Sequence, residues 1–290
     1  MPLTPGAGVD NSARLLAEQL RESLGQTFIV ENRPGANGII GTTFVAKAPA
    51  DGYTLLFVAN AHVIVPLTAS KLPYDADKDF APVATFAYTP YMLVVNPSIG
   101  VNTVQQFIAF AKARPNNMNF GSSGVGAGSH MAGEVFAAMT GLHLQHIPYK
   151  GGGEVMTALM GNQIQASWNT VNAAAPHVKS GRLKSLAVSG EARATALPDV
   201  PTFGEAGMPD YQEKAWLGMF APAATPRAVI DRLNAETGKI LRSPGIKENF
   251  DKQGLLPFIS TPEQFATMLK RETANYAPIV KAANIKMDTN

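Results

Sequence analysis

The sequence predicts an α/β protein built as two halves. Three observations carry that expectation. Short apolar runs alternate with segments whose apolar residues recur at i, i+3, i+4 and i+7, an order that implies a mostly parallel sheet flanked by helices. Two glycine-rich turns, "PGAGVDNSA" and "GSSGVGAGSH", each lead into a helix and start a fresh round of the same grammar. The chain has 290 residues, of which 46% are hydrophobic and 16% charged, long enough for two medium domains and too apolar for a disordered chain.

The first helix is capped by Asp10 or Asn11 and buries Ala13, Leu16, Ala17, Leu20 and Leu24. Gly25 ends it, where a left-handed residue is wanted. "TFIVENR" reads as a strand, "PGANGIIGTTFVAKAPADG" as turn, helix and turn, and "YTLLFVAN" as a strand buried on both faces. A polar stretch leads to the strand "YTPYMLVVNPS" and the helix "TVQQFIAFAKARP", which ends before Pro115. The second glycine turn then sits between a strand and a helix. "LQHIPY", "QASWNTV" and "LKSLAVSG" are further strands, separated by the helices "GEVMTALMGN" and "NAAAPHVKSG". After the strand "KAWLGMFAP" the chain is mainly helical. The final helices are too few for a domain of their own and are expected to return to the first sheet. The expected domains are 1–98 plus 222–290, and 99–221, with crossings near Val94 to Asn102 and Leu217 to Ala223.

Charge removes one class of function. Lys and Arg number 24 against 22 Asp and Glu, a formal net charge of +2 without any basic run, so no nucleic-acid footprint is expected. No apolar stretch reaches the roughly 18 residues of a spanning helix. The opening residues show no basic n-region and no apolar h-region, so no signal peptide is read in them. With Cys 0, disulfides, thiolate nucleophiles and cysteine metal sites are all excluded. Of the five histidines, only His143 and His146 are close in sequence. Three apart on a strand, they face opposite ways, so no shared metal is expected and structural or surface roles are favoured.

The two glycine turns carry the most chemistry. A helix N-terminus presents unpaired N–H groups and a partial positive charge, and glycines admit an anion close to that backbone. Ser122, Ser123 and Ser129 add hydroxyl donors, so a carboxylate or phosphate is the natural guest. Each turn taken alone is equally consistent with a plain tight βα connection. The nucleotide-binding patterns are incomplete: G-x-G-x-x-G fails at Asn11 and at Ser129, and no Gly-Lys-Ser/Thr step exists. The nucleophile elbow fails at Val125. Ser129 and His130 are neighbours, which does not aim one at the other as nucleophile and base. "PYKGGG" offers Tyr149 and Lys150, the latter either a ligand partner or a solvated lysine. Trp168 either stacks on a ligand or packs in the core, with packing favoured. Asn169 suits a polar ligand group without adding charge.

The runs "PLTPGAGVD", "VENRPGANGIIG", "VAKAPADGYTLL", "FGSSGVGAGSHMAGEVF", "HIPYKGGGEVMTALMGNQIQ" and "LPDVPTFGEAGMPDY" together resemble the Bug-type solute receptors of tripartite tricarboxylate transporters. The resemblance covers essentially the whole chain. It implies a periplasmic receptor of the two-domain, periplasmic-binding-protein (flytrap) type. Such a receptor closes on a small carboxylate, has no enzymatic role, cofactor or metal, and acts as a monomer with membrane permease subunits as partners. Carried onto matching positions, the first-domain ligand set is Leu3, Thr4, Gly6, Gly8 and Asp10, with Asn60 and Ala61. The second-domain set is Ser122, Ser123, Gly126, Ser129 and His130, with Tyr149, Lys150 and Gly151, and Asn169 beside them.

Two departures from the family pattern matter. Members that bind acidic amino acids carry an Asp where this chain has Asn169, so the resemblance favours a plain or aromatic carboxylate over an amino acid. Relatives also have a signal peptide and a first strand before the first glycine turn. Here that strand is nearly gone, implying a shortened or processed chain or a wrongly placed start codon, and periplasmic localisation follows from the family alone. The competing expectations are an α/β enzyme acting on a carboxylate, using Ser123 or Ser129 with His130, and a periplasmic sensory protein with the same pocket.

Overall fold

The computed structural model describes residues 1–2, 8–115 and 117–287. In chain order the helices and strands are α1 (Gly8–Leu24), α2 (Ile39–Ala46), β1 (Leu56–Ala59), α3 (Ala61–Thr68), β2 (Phe80–Val95), α4 (Val104–Lys112), β3 (Asn119–Ser122) and α5 (Gly128–Thr140). They continue with β4 (Gln145–Pro148), α6 (Gly152–Met160), β5 (Ala166–Thr170), α7 (Val171–Lys179), β6 (Lys184–Val188), β7 (Lys214–Pro222), α8 (Arg227–Leu241), α9 (Pro244–Lys252), β8 (Leu256–Pro257) and α10 (Pro262–Ala282).

Two compact units result. One comprises residues 1–88, 216–277 and 286–290, the other 89–215 and 278–285. The chain passes from one to the other inside β2, between Tyr88 and Thr89, and at the start of β7, between Ala215 and Trp216. It therefore crosses within continuous strands rather than in the loop after Val95. The last turn of α10 also lies in the second unit.

In the first unit, α1 buries Ala13, Leu16, Ala17 and Leu20 along the expected stripe, and Gly25 closes it at φ 65°. This stripe joins Phe57, Phe86, Leu217, Met219, Ile230 and Leu233 in one core. The sheet runs β1-β7-β2, with β1 antiparallel to β7 and β8 antiparallel to β2. The segment "TFIVENR" is extended but is not a strand. Its backbone bonds run to Met1: the Met1 amino group donates to the Glu31 carbonyl and the Arg33 N–H donates to the Met1 carbonyl, both at 2.7 Å. That is one bridge, too short for a ladder. Ile29 stays 85% exposed, which a buried strand position would not allow. A helix the sequence reading missed, α3, follows β1. Its "HVIVP" run is β-branched and holds Pro66, both signals against helix.

In the second unit the sheet runs β2-β5-β3-β4, and β6 also pairs with β2. Among the described residues of this unit, parallel ladders join β3 with β4 and β3 with β5, and Val188 of β6 makes a parallel bridge to Thr202. β2 is antiparallel to both β5 and β6, so the sheet is mixed where the sequence predicted mostly parallel pairing. The cause is the crossing strand itself, which enters against the direction of the βαβ repeat. β2 explains its own apolar run. Tyr91, Leu93 and Val95 enter a core with Phe107, Phe120 and Trp168, while Met92 and Val94 enter another with Val155, Leu159 and Val188. With both faces covered, period-2 alternation of apolar and polar residues disappears.

Candidate functional site

Most of the second-unit residues singled out in the sequence meet at the carboxyl ends of β3, β4 and β5. Because these strands are parallel, the helices that follow them, α5, α6 and α7, all begin at that same edge. In open α/β sheets this is where ligands bind. The N-cap residues of these helices, Ala127, Gly151 and Thr170, make no side-chain cap bond, although in α7 Asn172 Oδ1 accepts the Ala173 N–H at 3.0 Å; α4 is capped by the Thr103 hydroxyl, which accepts the Gln106 N–H at 3.1 Å. Uncapped N-terminal N–H groups and their partial positive charge favour an anion.

The turn between β3 and α5 is held by its own side chains. The Ser122 hydroxyl donates to the Gly124 carbonyl at 2.9 Å and accepts the Gly124 N–H at 3.2 Å. The exposed Ser123 donates its N–H to the Ser129 hydroxyl at 3.2 Å, and the two hydroxyls also lie 3.2 Å apart. Gly124 and Gly126 have φ of 130° and 76°, conformations that residues with a Cβ adopt only under strain. The Gly126 N–H donates to Nδ1 of His130 at 3.2 Å, and His130 Nε2 lies 3.3 Å from Glu134 Oε1. His130 is only 3% exposed and both its ring nitrogens are engaged within the protein. Its side chain thus supports the turn.

Tyr149 extends the β3–β4 ladder, its N–H donating to the Ser122 carbonyl at 2.9 Å. Lys150 is exposed, and its backbone N–H donates to the Glu154 carboxylate at 3.1 Å. At Gly151, Gly152 and Gly153 an added Cβ would meet nothing within 4 Å, so packing does not require these glycines. Asn169 is buried on β5. Its amide donates to the Ser167 hydroxyl at 2.7 Å, and Ser167 donates to the Gly121 carbonyl at 2.9 Å, which ties β5 to the residue before Ser122. Trp168 points away into the core, fully buried against Phe120 and Phe136.

Of the first-unit set, Leu3, Thr4 and Gly6 lie outside the described residues. Gly8 begins α1. Asp10, in the first turn of that helix, is 2% exposed and accepts from Arg14 Nε at 3.0 Å and Asn32 Nδ2 at 2.8 Å. These bonds fasten α1 to the 31–33 segment. Asn60 occupies the turn from β1 into α3, buried, with its Oδ1 accepting the Trp216 N–H at 3.1 Å, and Ala61 is the first residue of α3.

Two other first-unit cavities contain none of these residues. One of about 690 Å³ is lined by Phe28, Ile29, Phe44, Tyr53 and Leu55, with Glu31, Arg33, Asp51 and Arg232 also in its wall. Another of about 370 Å³ lies beside His62, Tyr74 and Asp75. Among the described residues, no group of three or more His, Asp and Glu side chains is placed to hold a metal ion.

The sequence reading missed His146. It paired this residue with His143, which is exposed. The structure stacks it on His130 with ring centroids 3.6 Å apart and sets its Nε2 2.6 Å from the Ser122 hydroxyl. Burial, and then the proximity of His130, push its pKa down to about 3.

Comparison with known proteins gives a consistent result. Residues 12–285 match the family described as tripartite tricarboxylate transporter family receptor. Protein BugT of Bordetella pertussis (strain Tohama I) is 36% identical over 289 residues, spanning 99% of this chain and 89% of that protein. Among solved structures, R. palustris Rpa4515 with adipate superposes with a TM-score of 0.86 at 32% identity, covering 98% of this chain and 96% of that one. MatC (Rpa3494) from Rhodopseudomonas palustris with bound malate gives a TM-score of 0.81 at 28% identity, covering 96% of each chain.

Proposed function

Because this chain belongs to the tripartite tricarboxylate transporter receptor family, we propose that it captures a small carboxylate at its glycine turns and delivers it to the permease subunits of such a transporter. The observation that carries the reading is the common edge of β3, β4 and β5, where three helices begin without side-chain caps. A carboxylate there is drawn by the partial positive charge of these helix N-termini and accepts from first-turn N–H groups other than those of Ser123, Gly124, Gly126 and Ala173, which the protein itself engages. The adipate and malate in the related structures are small dicarboxylates and support that class. Asn169 stands where an ammonium-binding carboxylate would be needed, which favours a ligand without an amine. The setting is periplasmic, and the working form is a monomer.

A receptor is favoured over an enzyme by the state of the serines. Ser122 is the serine with a histidine in reach, yet it is fully buried and its hydroxyl is committed to Gly124. Ser123 and Ser129 face each other, and neither nitrogen of His130 is turned to them.

A thermal-shift screen of mono-, di- and tricarboxylates, with and without aromatic rings and amines, tests the reading. A ligand at about a hundred times its Kd adds roughly 2.7 kcal/mol of stability. A shift with a neutral sugar and none with any carboxylate would overturn it. Uptake measured in cells lacking the receptor separates transport from a sensory role.

A further inference from the structure

We propose that His146 and His130 are a stacked neutral pair of positioning residues that hold the β3–α5 turn in its anion-accepting shape, His146 through Ser122 and His130 through Gly126. The inference rests on the carboxylate reading of that turn and assigns it two residues that act from behind.

The geometry sets a role for each ring nitrogen that faces the turn. His130 Nδ1 accepts the Gly126 N–H, so that nitrogen carries no proton, and Nε2–H is left to donate to Glu134. A proton on Nδ1 would oppose the Gly126 N–H directly and release the turn. His146 lies 3.6 Å away, ring on ring at 15°, so two imidazolium charges would repel at contact. Its Nε2 meets Ser122, whose hydroxyl already spans the N–H and C=O of Gly124. Phe120 packs against both rings from β3, with centroids 6.0 Å from His130 and 5.0 Å from His146, and offers no charge. The charged group at the pair is Glu134, on α5 itself; Tyr149 and Lys150 follow His146 at the end of β4. The pair thus fixes both left-handed glycines, Gly124 through Ser122 and Gly126 through His130.

A positioning role and a direct ligand contact predict opposite responses to pH. An imidazolium touching a carboxylate would strengthen binding as pH falls. A neutral pair that shapes the turn gives affinity that is flat or falls between pH 7.5 and 5.5.

The test uses three proteins: wild type, His146→Phe, which keeps a ring for stacking but loses the Ser122 bond, and His146→Gln, which keeps an N–H near the Nε2 position. Amide hydrogen exchange at Gly124 needs no ligand. It is expected to quicken at least tenfold in His146→Phe and to return to within threefold of wild type in His146→Gln. Adipate and malate serve as probes for calorimetry, with the same order expected: about tenfold weaker binding in Phe, near wild-type binding in Gln. Unchanged exchange in His146→Phe would overturn the proposal, as would affinity that climbs tenfold toward pH 5.5. If neither probe binds wild type, the carboxylate reading fails for these acids, and the exchange result still decides the positioning role.

Discussion

The backbone N–H of Trp216 donates to Oδ1 of Asn60 at 3.1 Å. This bond ties the first first-unit residue of β7 to the turn where β1 becomes α3, and Trp216 and Asn60 are 0% and 3% exposed. Removing the acceptor leaves a buried N–H unsatisfied, at a cost of about 1–3 kcal/mol. Asn60→Ala is therefore expected to lower the unfolding free energy by that amount, seen as a lower denaturant midpoint, and Asn60→Asp, which keeps an oxygen, by less. Equal midpoints for wild type and Asn60→Ala would show that the bond contributes nothing.

The second turn depends on backbone conformation. Gly126 sits at φ 76°, and its N–H is committed to His130. Gly126→Val and Ser123→Pro are expected to weaken carboxylate binding more than tenfold while leaving the circular dichroism spectrum native, because helix α5 begins after both positions. A folded variant with wild-type affinity would exclude this turn from the site.

Asn169→Asp should act on both binding and stability. The substituted oxygen would face the Ser167 hydroxyl, whose proton already goes to the Gly121 carbonyl. The new charge also repels a dicarboxylate. Calorimetry is expected to show weaker adipate binding and a better relative affinity for aspartate or glutamate, with unfolding free energy reduced by about 1–3 kcal/mol. An unchanged ligand ranking would remove Asn169 from the account of specificity.

Stability should fall in mild acid. Burial pushes the pKa of His62 down to about 4, and burial together with His130 pushes that of His146 down to about 3. Both lie below the ordinary value near 6.5, so between those limits the unfolded chain binds more protons than the native one. Their contribution is complete above about pH 6.5 and drains away as pH drops toward 4 and then 3, by up to about 1.4 kcal/mol per pH unit for each group. Urea midpoints from pH 7 to 4 are expected to fall, and His146→Gln should flatten the slope. An identical slope in that variant would mean His146 does not titrate as described.

Local chemistry is what the sequence displayed. The stripe on α1, the glycine stop at Gly25 and the apolar run of β2 were readable because each depends on residues close in the chain. So was the turn around Ser122 and Ser123. What escaped was long-range. His146 reaches Ser122 only because β4 lies parallel to β3, with Phe120 opposite His146, a register that no local pattern encodes. Helix α3 was hidden by its β-branched run and Pro66, and the irregular 27–33 segment by an apolar composition that suits a strand. Also invisible locally are the bonds of Asp10, expected in the ligand set, whose carboxylate accepts from Arg14 and Asn32, 4 and 22 residues away.

Recognition of negative charge by backbone N–H groups is the central claim, and a comparison of adipate with its neutral diamide tests it most directly. The two molecules match in length and apolar surface and differ in the charge at their ends. Titration calorimetry of the purified chain should show adipate, or whichever dicarboxylate the thermal screen selects, binding at one site, with the corresponding diamide at least a hundredfold weaker, about 2.7 kcal/mol. A diamide that binds as tightly as the acid would contradict the account.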